Sequence, residues 1–234
     1  MNLFAEAISW LADPAHWDGP GGIPTRLAQH LAITGVTLLI AGLIALPAGV
    51  LIGHTRRGAG LIGGLSGAAR ALPTLGLLTI FGLALGIGLT APVLALIILA
   101  IPSLLAGAYA GVQAVDPAIP AAAKAVGFSP SQVVMRVELP LALPVLVGGL
   151  RAATLQVVST ATLAAYTANF GLGRYLFSGL QSRDYPQMLA GALLVILLTL
   201  VLEIVLGLCQ RAAQRRFGAR PARATSARAS RPSK

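Results

Sequence analysis

Charged residues are scarce in this sequence, and so are aromatic residues and cysteine. Asp, Glu, Lys and Arg make up 10% of the 234 residues, whereas hydrophobic residues make up 56%. A soluble globular domain uses about a quarter of charged residues to cover its surface, so this composition excludes that class. Apolar runs repeatedly reach the roughly 20 residues that cross a bilayer. The sequence therefore predicts an all-α polytopic membrane protein.

The sequence also lacks the patterns of the common catalytic and ligand-binding classes. A single cysteine, Cys209, excludes an internal disulfide, and the three histidines share no spacing typical of metal ligands. No Gly-rich phosphate-binding motif surrounds either lysine, so we expect ATP hydrolysis to lie outside this chain. No nucleophile motif stands out either. We expect no catalytic residue, no metal and no cofactor bound by this chain.

Basic residues outnumber acidic ones by 17 to 7, and their positions indicate topology rather than nucleic-acid binding. Eight of the 17 follow Cys209, in a tail (211–234) that we expect to be disordered and to meet anionic lipid headgroups. Others lie in residues 54–57 and 116–140. Basic residues in short loops mark the cytoplasmic side. The C-terminus is therefore predicted to be cytoplasmic, and the acidic segment 1–25 extracytoplasmic.

Apolar runs predict about five transmembrane helices within residues 26–210, which we treat as the membrane domain. Their approximate limits are 27–53, 61–85, 93–115, 141–167 and 187–209. A short amphipathic segment precedes them, with Trp10 and Trp17 suited to the membrane interface. Residues 169–186 are predicted to form a loop between the last two spans.

A polar segment, residues 116–140, separates the third span from the fourth. Its first part predicts a short helix that opens at Asp116-Pro117 or, alternatively, at Ile119-Pro120, because proline fits the first helical position. Gly127 is a suitable C-terminal cap for that helix.

The second part of the same segment predicts another short helix. Ser129 is a suitable N-terminal cap, and Gln132 three residues later completes a capping box. We expect Pro140 to end this helix. Two short helices outside the lipid indicate a docking surface for another protein.

This segment resembles the cytoplasmic coupling motif of ABC-importer permeases, which reads Glu-Ala-Ala, three residues, Gly and, further on, a hydrophobic-x-Leu-Pro end. Ala121 stands where the motif has its glutamate, which removes any salt bridge of that glutamate, and residues 137–140 form the end. We call residues 116–140 the coupling segment. The resemblance implies that a separate ATPase subunit contacts Ala121, Ala122, Ala123, Lys124, Gly127, Phe128 and Pro140.

Further matches narrow the resemblance to the glycine betaine/carnitine/choline (osmoprotectant) branch of these permeases. They are QHLAITG at 29–35, LPTLGLL at 72–78, ELPLALPVLVGGLRAAT at 138–154 and TATLAAYTANFGLG at 160–173. The resemblance implies a MetI-like fold in the bacterial inner membrane. It also implies a second permease copy, identical or different, ABC ATPase subunits that bind ATP and Mg, and an extracytoplasmic substrate-binding protein. Two alternatives stay open: a permease of the same fold for another solute such as an amino acid, and a passive channel.

The fourth predicted span carries many polar side chains for a membrane helix. Such groups face either a neighbouring helix or a wet cavity, and the sequence leaves both roles open. The resemblance implies that this helix borders the translocation path. The candidate path residues are Thr154, Gln156, Ser159, Thr160, Thr162, Tyr166, Asn169 and Phe170.

Three ionisable residues, Arg70, Arg151 and Glu203, fall within predicted spans. Ionisable groups in a membrane are candidate functional residues by default. All three lie near the predicted cytoplasmic ends, so we favour a role in anchoring their helices there.

Overall fold

The structure is a computed structural model that describes residues 2–217, apart from six side chains at positions 59, 61, 65, 66, 69 and 70. The described residues form helices joined by short connections, with no β-strand among them, which confirms the predicted all-α class. The helices are α1 (Leu3–Ala12), α2 (Ile23–Thr55), α3 (Ala59–Ala71), α4 (Thr74–Leu85), α5 (Thr90–Gln113), α6 (Ala118–Ala125), α7 (Pro130–Val133), α8 (Leu139–Thr160), α9 (Gly173–Ser182) and α10 (Tyr185–Phe217). Short 3-10 helices cover Pro14–His16 and Ala161–Tyr166, and a π-turn covers Val134–Glu138.

Within residues 2–217, four helical stretches are long and apolar enough to cross a membrane: Ile23–Thr55, Thr90–Gln113, Pro130–Tyr166 and Tyr185–Phe217. The predicted second span instead consists of two consecutive helices, α3 and α4, of 13 and 12 residues. Pro73 lacks a backbone N–H and disfavours helical geometry in the residue before it. Leu72 accordingly is extended, with φ −71° and ψ 121°. All five predicted apolar regions are helical, and the second is a broken pair.

Several predicted limits differ from the structure. The helix α10 continues to Phe217, so residues 211–217, predicted as part of the tail, are helical. The rest of that tail, 218–234, lies outside the described residues. Residues 169–186, predicted as a loop, contain the 10-residue helix α9.

The centre of the bundle is α5, which packs against α2 on one side and α8 on the other. Small residues allow these close crossings. A Cβ atom on Gly107 of α5 would lie only 2.6 Å from the Cα of Gly149 on α8, and one on Gly53 of α2 would lie 2.7 Å from Val112 Cβ. The helix α10 lies against α8, and both α1 and α9 pack on α10.

Connections gather at two ends of this bundle. The end of α2 and the coupling segment contact each other at one end, which we call the coupling end. At the opposite end, the far end, residues 86–89 meet Thr167: Gly88 N–H donates to the Thr167 carbonyl at 3.0 Å. The start of α2 and the connection 167–172 also meet at the far end.

Candidate coupling segment and translocation face

The first helix of the coupling segment opens at Asp116-Pro117, the first of the two predicted starts. Asp116 Oδ1 accepts the Ala118 N–H at 2.9 Å in a turn that leads into α6, whose N-cap is Pro117. The helix ends at Gly127, whose φ of +93° is left-handed and suits glycine. Gly127 N–H donates to the Lys124 carbonyl at 3.0 Å and Phe128 N–H donates to the Ala123 carbonyl at 3.1 Å. This pair of bonds is the Schellman motif, so Gly127 is the predicted cap.

The second helix begins as predicted but does not end as predicted. Ser129 Oγ accepts the Gln132 N–H, and Ser129 N–H donates to Gln132 Oε1 at 2.9 Å, which completes the capping box. The prediction that Pro140 ends this helix is wrong, because α7 runs through the π-turn into α8. A proline ring normally clashes with the carbonyl four residues before it. In the π-turn, Leu139 N–H donates to the carbonyl of Val134, five residues back, so the turn is wider just before the proline.

The candidate contact residues of α6 and its C-terminal turn share one exposed stretch of chain. Exposed positions are Ala121, Ala122, Lys124, Gly127 and Phe128, with Ala123 half-buried. Val126, beside them, is 76% exposed, so the surface of this turn includes an apolar side chain. Pro140 lies apart from this stretch, half-buried at the start of α8.

The candidate path residues do not form one continuous face. Thr154 is buried, and its hydroxyl donates to the Leu150 carbonyl of its own helix at 2.8 Å. Gln156 and Ser159 are exposed instead. Ser103 of α5 donates to Gln156 Oε1 at 2.7 Å, so a polar group that spans two helices lies on the exposed surface of the chain.

Other path candidates satisfy their hydrogen bonds locally. Thr160 and Thr162 are half-buried and donate to the carbonyls of Gln156 and Ser159 at 2.7 and 2.8 Å. Their hydroxyls therefore need no wet cavity. Tyr166 is 52% exposed at the end of the 3-10 helix, with its ring centroid 6.1 Å from that of Phe177.

Phe170 is a packing residue in this structure. It is half-buried against a core cluster that contains Ile33 of α2, Leu96 of α5 and the alanines at 161 and 164. Its ring therefore helps to fix the connection after the fourth predicted span against the bundle.

Asn169 is held by a buried arginine that the sequence did not single out. Arg26, 7% exposed, donates from Nη1 to the Asn169 carbonyl and from Nη2 to Asn169 Oδ1, both at 2.8 Å. Gln29 Oε1 accepts from Arg26 at 3.1 Å and from the Gly171 N–H at 3.0 Å. We call Arg26, Gln29, Asn169 and Gly171 the far-end clamp. In the sequence, only the QHLAITG match includes Gln29, and that match does not indicate which residues Gln29 contacts.

Tyr175 of α9 ties the same end together. Its hydroxyl donates to the Gly21 carbonyl at 2.6 Å, and its ring lies edge-on to Trp10 at 5.2 Å. Burial raises the pKa of the Tyr175 phenol, and nearby Arg26 opposes that shift more weakly. The neutral hydroxyl therefore persists as a donor well into alkaline pH.

Arg151 and Glu203, two of the ionisable candidates, form an ion pair between α8 and α10. Arg151 also donates from Nη1 to Gln210 Oε1 at 2.9 Å. Each member of the pair is about one third exposed, and the pair joins two helices side by side. Arg151 therefore faces polar neighbours on α10, and its role in anchoring the helix at the membrane interface stays a prediction. The side chain of the third candidate, Arg70, lies outside the described part of the chain.

Comparison with known proteins places this geometry in a family. Residues 45–218 match the family described as "Binding-protein-dependent transport system inner membrane component". The chain is similar to the choline transport system permease protein OpuBB of Bacillus subtilis (strain 168), with 33% identity over 82% of this chain and 88% of the relative. It is 29% identical to the glycine betaine/carnitine/choline transport system permease protein OpuCB of the same organism, over the same shares of both chains.

Solved structures give the same fold. A chain of the MetNI methionine ABC transporter in an inward-facing conformation matches with a TM-score of 0.69 and 26% identity. That match covers 79% of this chain and 93% of the other. A chain of an amino acid ABC transporter, 21% identical, matches with a TM-score of 0.65.

Proposed function

Since the chain belongs to the family of binding-protein-dependent transport system inner membrane components, as a permease subunit, we propose that it imports a quaternary-ammonium osmoprotectant such as glycine betaine, carnitine or choline. Two relatives that are named as choline and as glycine betaine/carnitine/choline permeases support this choice of solute, with 33% and 29% identity over 82% of this chain. The second candidate is another small solute such as an amino acid. The likeness to a methionine transporter at 26% identity favours it.

The coupling segment docks on a separate ABC ATPase subunit, which binds ATP and Mg. The observation that carries this step is the exposed turn at the end of α6. Gly127 and its Schellman bonds hold the turn in one shape, and they present Val126 and Phe128, which are 76% and 36% exposed. Exposed apolar side chains on a rigid turn are typical of a protein contact site.

A second permease copy covers the polar surface around Gln156. The outside of the single chain carries the polar residues Ser103, Gln156 and Ser159. Lipid tails offer no hydrogen-bond partners to such groups. A second copy supplies polar partners and encloses a path between the two chains. Tyr166 stands at the far end of that path.

The coupling end faces the cytoplasm, with the N-terminus outside and the C-terminus inside. Most basic residues of the described part lie towards this end, as the positive-inside rule requires. They are Arg56, Arg57, Lys124, Arg136, Arg211, Arg215 and Arg216. The far end, with α1, α9 and the clamp, then faces an extracytoplasmic substrate-binding protein.

Transport follows from two states of the bundle. Closure of the ATPase subunits on ATP displaces the coupling segment, and the bundle changes between openings to opposite sides of the membrane. ATP favours one state of the bundle only to the extent that the ATP-bound ATPase subunits bind that state more tightly than the other state.

Docking is tested by replacing Gly127 with proline. Proline fixes φ near −65°, whereas Gly127 has φ +93°, so Gly127→Pro destroys the turn. The matched control is Gly19→Pro at the other end of the chain, because Gly19 also has a left-handed φ, +79°, and a Cβ atom there would meet nothing within 4 Å. We expect the ATPase to co-purify with wild type and with the control but not with Gly127→Pro. Equal retention by both variants would place the ATPase contact elsewhere.

The cargo is tested by uptake of radiolabelled solutes into proteoliposomes that hold the complete transporter. We expect ATP-dependent uptake of glycine betaine, carnitine or choline and none of methionine. The same assay with Gly127→Pro serves as the inactive control. Uptake of methionine alone would overturn the osmoprotectant assignment and support the amino-acid alternative, while uptake without ATP would indicate a channel.

A further inference from the structure

The end of α2 contacts the coupling segment at both of its edges. Arg56 Nη2 donates to the carbonyl of Val115, the residue just before the segment, at 3.4 Å. His54 Nδ1 lies 2.7 Å from Oε2 of Glu138, two residues before the segment ends. His54 in the last turn of α2 and Arg56 just after the helix thus bracket the stretch that is proposed to receive the ATPase.

The contact between His54 and Glu138 is shielded from solvent. The side chain of Glu138 is 7% exposed and that of His54 is 17% exposed. A hydrogen bond to a carboxylate is stronger than one between neutral groups, and a buried carboxylate without a partner is costly. The pair therefore favours one position of Glu138 relative to α2.

Beside this pair, α2 and the coupling segment are separated by an apolar crevice of about 500 Å³. Val50 and Leu51 line it from α2, and Met135 and Leu139 line it from the other side. The crevice is space that neither element fills, so it adds no van der Waals contact between them. The hydrogen bond at its edge is the firmer connection between the two elements.

The π-turn places Glu138 at this contact. One extra residue in the turn rotates the residues after it by about 100° around the helix axis relative to an ordinary α-helical path. Glu138 is the last residue of the turn and leads directly into α8. The irregular turn that accommodates Pro140 therefore also sets the direction of the carboxylate.

At its other end, α2 carries the far-end clamp. Arg26 and Gln29 lie in its first two turns and hold Asn169 and Gly171, in the connection that follows the candidate path helix. The helix is unbroken over 33 residues, which is about 50 Å. One helix therefore joins the coupling segment to the connection at the far end.

We propose that His54 and Glu138 are positioning residues that fix the coupling segment to α2, so that α2 carries its displacement to the far-end clamp. This inference rests on the proposed docking of the coupling segment on an ATPase. The pair itself contacts neither ATP nor the solute. Loss of the pair should uncouple ATP hydrolysis from transport, while the transporter complex still assembles.

The first test compares substitutions of His54 in the complete transporter. His54→Leu removes the hydrogen bond, His54→Asn keeps a nitrogen donor near the position of Nδ1, and Thr55→Leu is the matched control next to it, since the exposed Thr55 hydroxyl donates only to its own helix. The measured quantity is solute transported per ATP hydrolysed. We expect His54→Leu to keep the ATPase and to lower this ratio about fivefold or more, as a coupling free energy of the usual size implies. His54→Asn should restore most of the ratio, and Thr55→Leu should leave it unchanged.

An unchanged ratio in His54→Leu would overturn the proposal. If the Gly127→Pro variant loses the ATPase while His54→Leu transports with the normal ratio, docking is correct and the role of the pair is wrong. If Gly127→Pro keeps the ATPase, the docking proposal itself fails, whatever His54→Leu does.

A cross-link provides a test that does not depend on the stability of His54→Leu. His54→Cys and Glu138→Cys are combined with Cys209→Ser, which removes the exposed native thiol, and are joined by a short reversible bis-methanethiosulfonate. The reduced variant lacks the pair, so we expect it to transport less solute per ATP than the Cys209→Ser transporter. We expect the cross-link, which joins the two elements again, to raise that ratio. Transport that stops on cross-linking and returns with reductant would show that the two elements must separate, and would overturn the proposal.

Discussion

At the crossing of α5 and α8, two glycines bring the helix backbones into contact. A Cβ atom at either Gly107 or Gly149 would lie 2.6 Å from the Cα of the other, closer than real Cβ contacts. We expect Gly149→Ala to destabilise the bundle by roughly 1–3 kcal/mol, since the added methyl forces the helices apart. The measurement is the apparent melting temperature of the purified protein in detergent.

Gly35→Ala is the control for that substitution. Gly35 lies in the interior of α2, where an added Cβ would meet nothing within 4 Å, so alanine there should leave stability unchanged or raise it by up to about 1 kcal/mol through helix propensity. If Gly149→Ala melted at or above the temperature of wild type, the close crossing would be wrong.

Glycines also show which residue roles can be predicted from the sequence. Gly127 is predictable as a helix cap because both hydrogen bonds of its turn, Gly127 to Lys124 and Phe128 to Ala123, join residues within five positions of each other. Gly107 and Gly149 act on each other across 42 positions, and nothing local indicates that α5 and α8 cross there. The same limit explains why the sequence predicts Asn169 without its partner Arg26, 143 positions away.

Among the helices, local rules predict boundaries set by capping residues better than boundaries expected at prolines. The capping box at Ser129 depends on four consecutive residues and is present as predicted. Pro140 is predicted to stop a helix, yet the π-turn before it removes the usual clash and the helix continues. Pro73 does break its helix. The difference lies in the turn that precedes each proline, and the sequence does not specify that turn.

The connection 167–172 offers a prediction about an element. Arg26→Leu removes the guanidinium that donates to Asn169, so we expect the backbone amides of this connection to exchange hydrogen about tenfold faster, as the loss of one or two hydrogen bonds implies. Arg26→Lys keeps the charge but not the forked geometry and should give an intermediate rate. The measurement is hydrogen exchange by mass spectrometry.

Amides in the centre of α10, for example at Val195, serve as the internal reference and should not change. Equal protection of residues 167–172 in wild type and Arg26→Leu would show that the clamp does not restrain this connection.

For the whole molecule, composition and charge are enough to predict a helical membrane protein, and the coupling segment indicates its family. Neither predicts which polar residues of the fourth predicted span face outward. Thr154 and Gln156 are two positions apart, yet Thr154 is buried and Gln156 is exposed, because the packed helices leave open the edge of the α5–α8 contact where Gln156 meets Ser103. That exposed polar side is a property of the packed chain, and it carries the proposal of a second copy.

A cross-link between permease chains tests whether a second copy covers this side. We expect Ser159→Cys, in a Cys209→Ser background, to be joined to the partner permease by a short bis-maleimide in native membranes, because exposed Ser159 lies on the surface that the partner is proposed to cover. Ile196→Cys on α10 is the control: Ile196 is 54% exposed and apolar, which suits lipid, so it should give no such product. A product at twice the mass of this chain would indicate two identical copies, and one of another mass would indicate a different permease. Cross-linking at position 196 but not at 159 would place the interface on α10, and the polar group of Ser103 and Gln156 would then need another partner, such as water in a cavity within one chain.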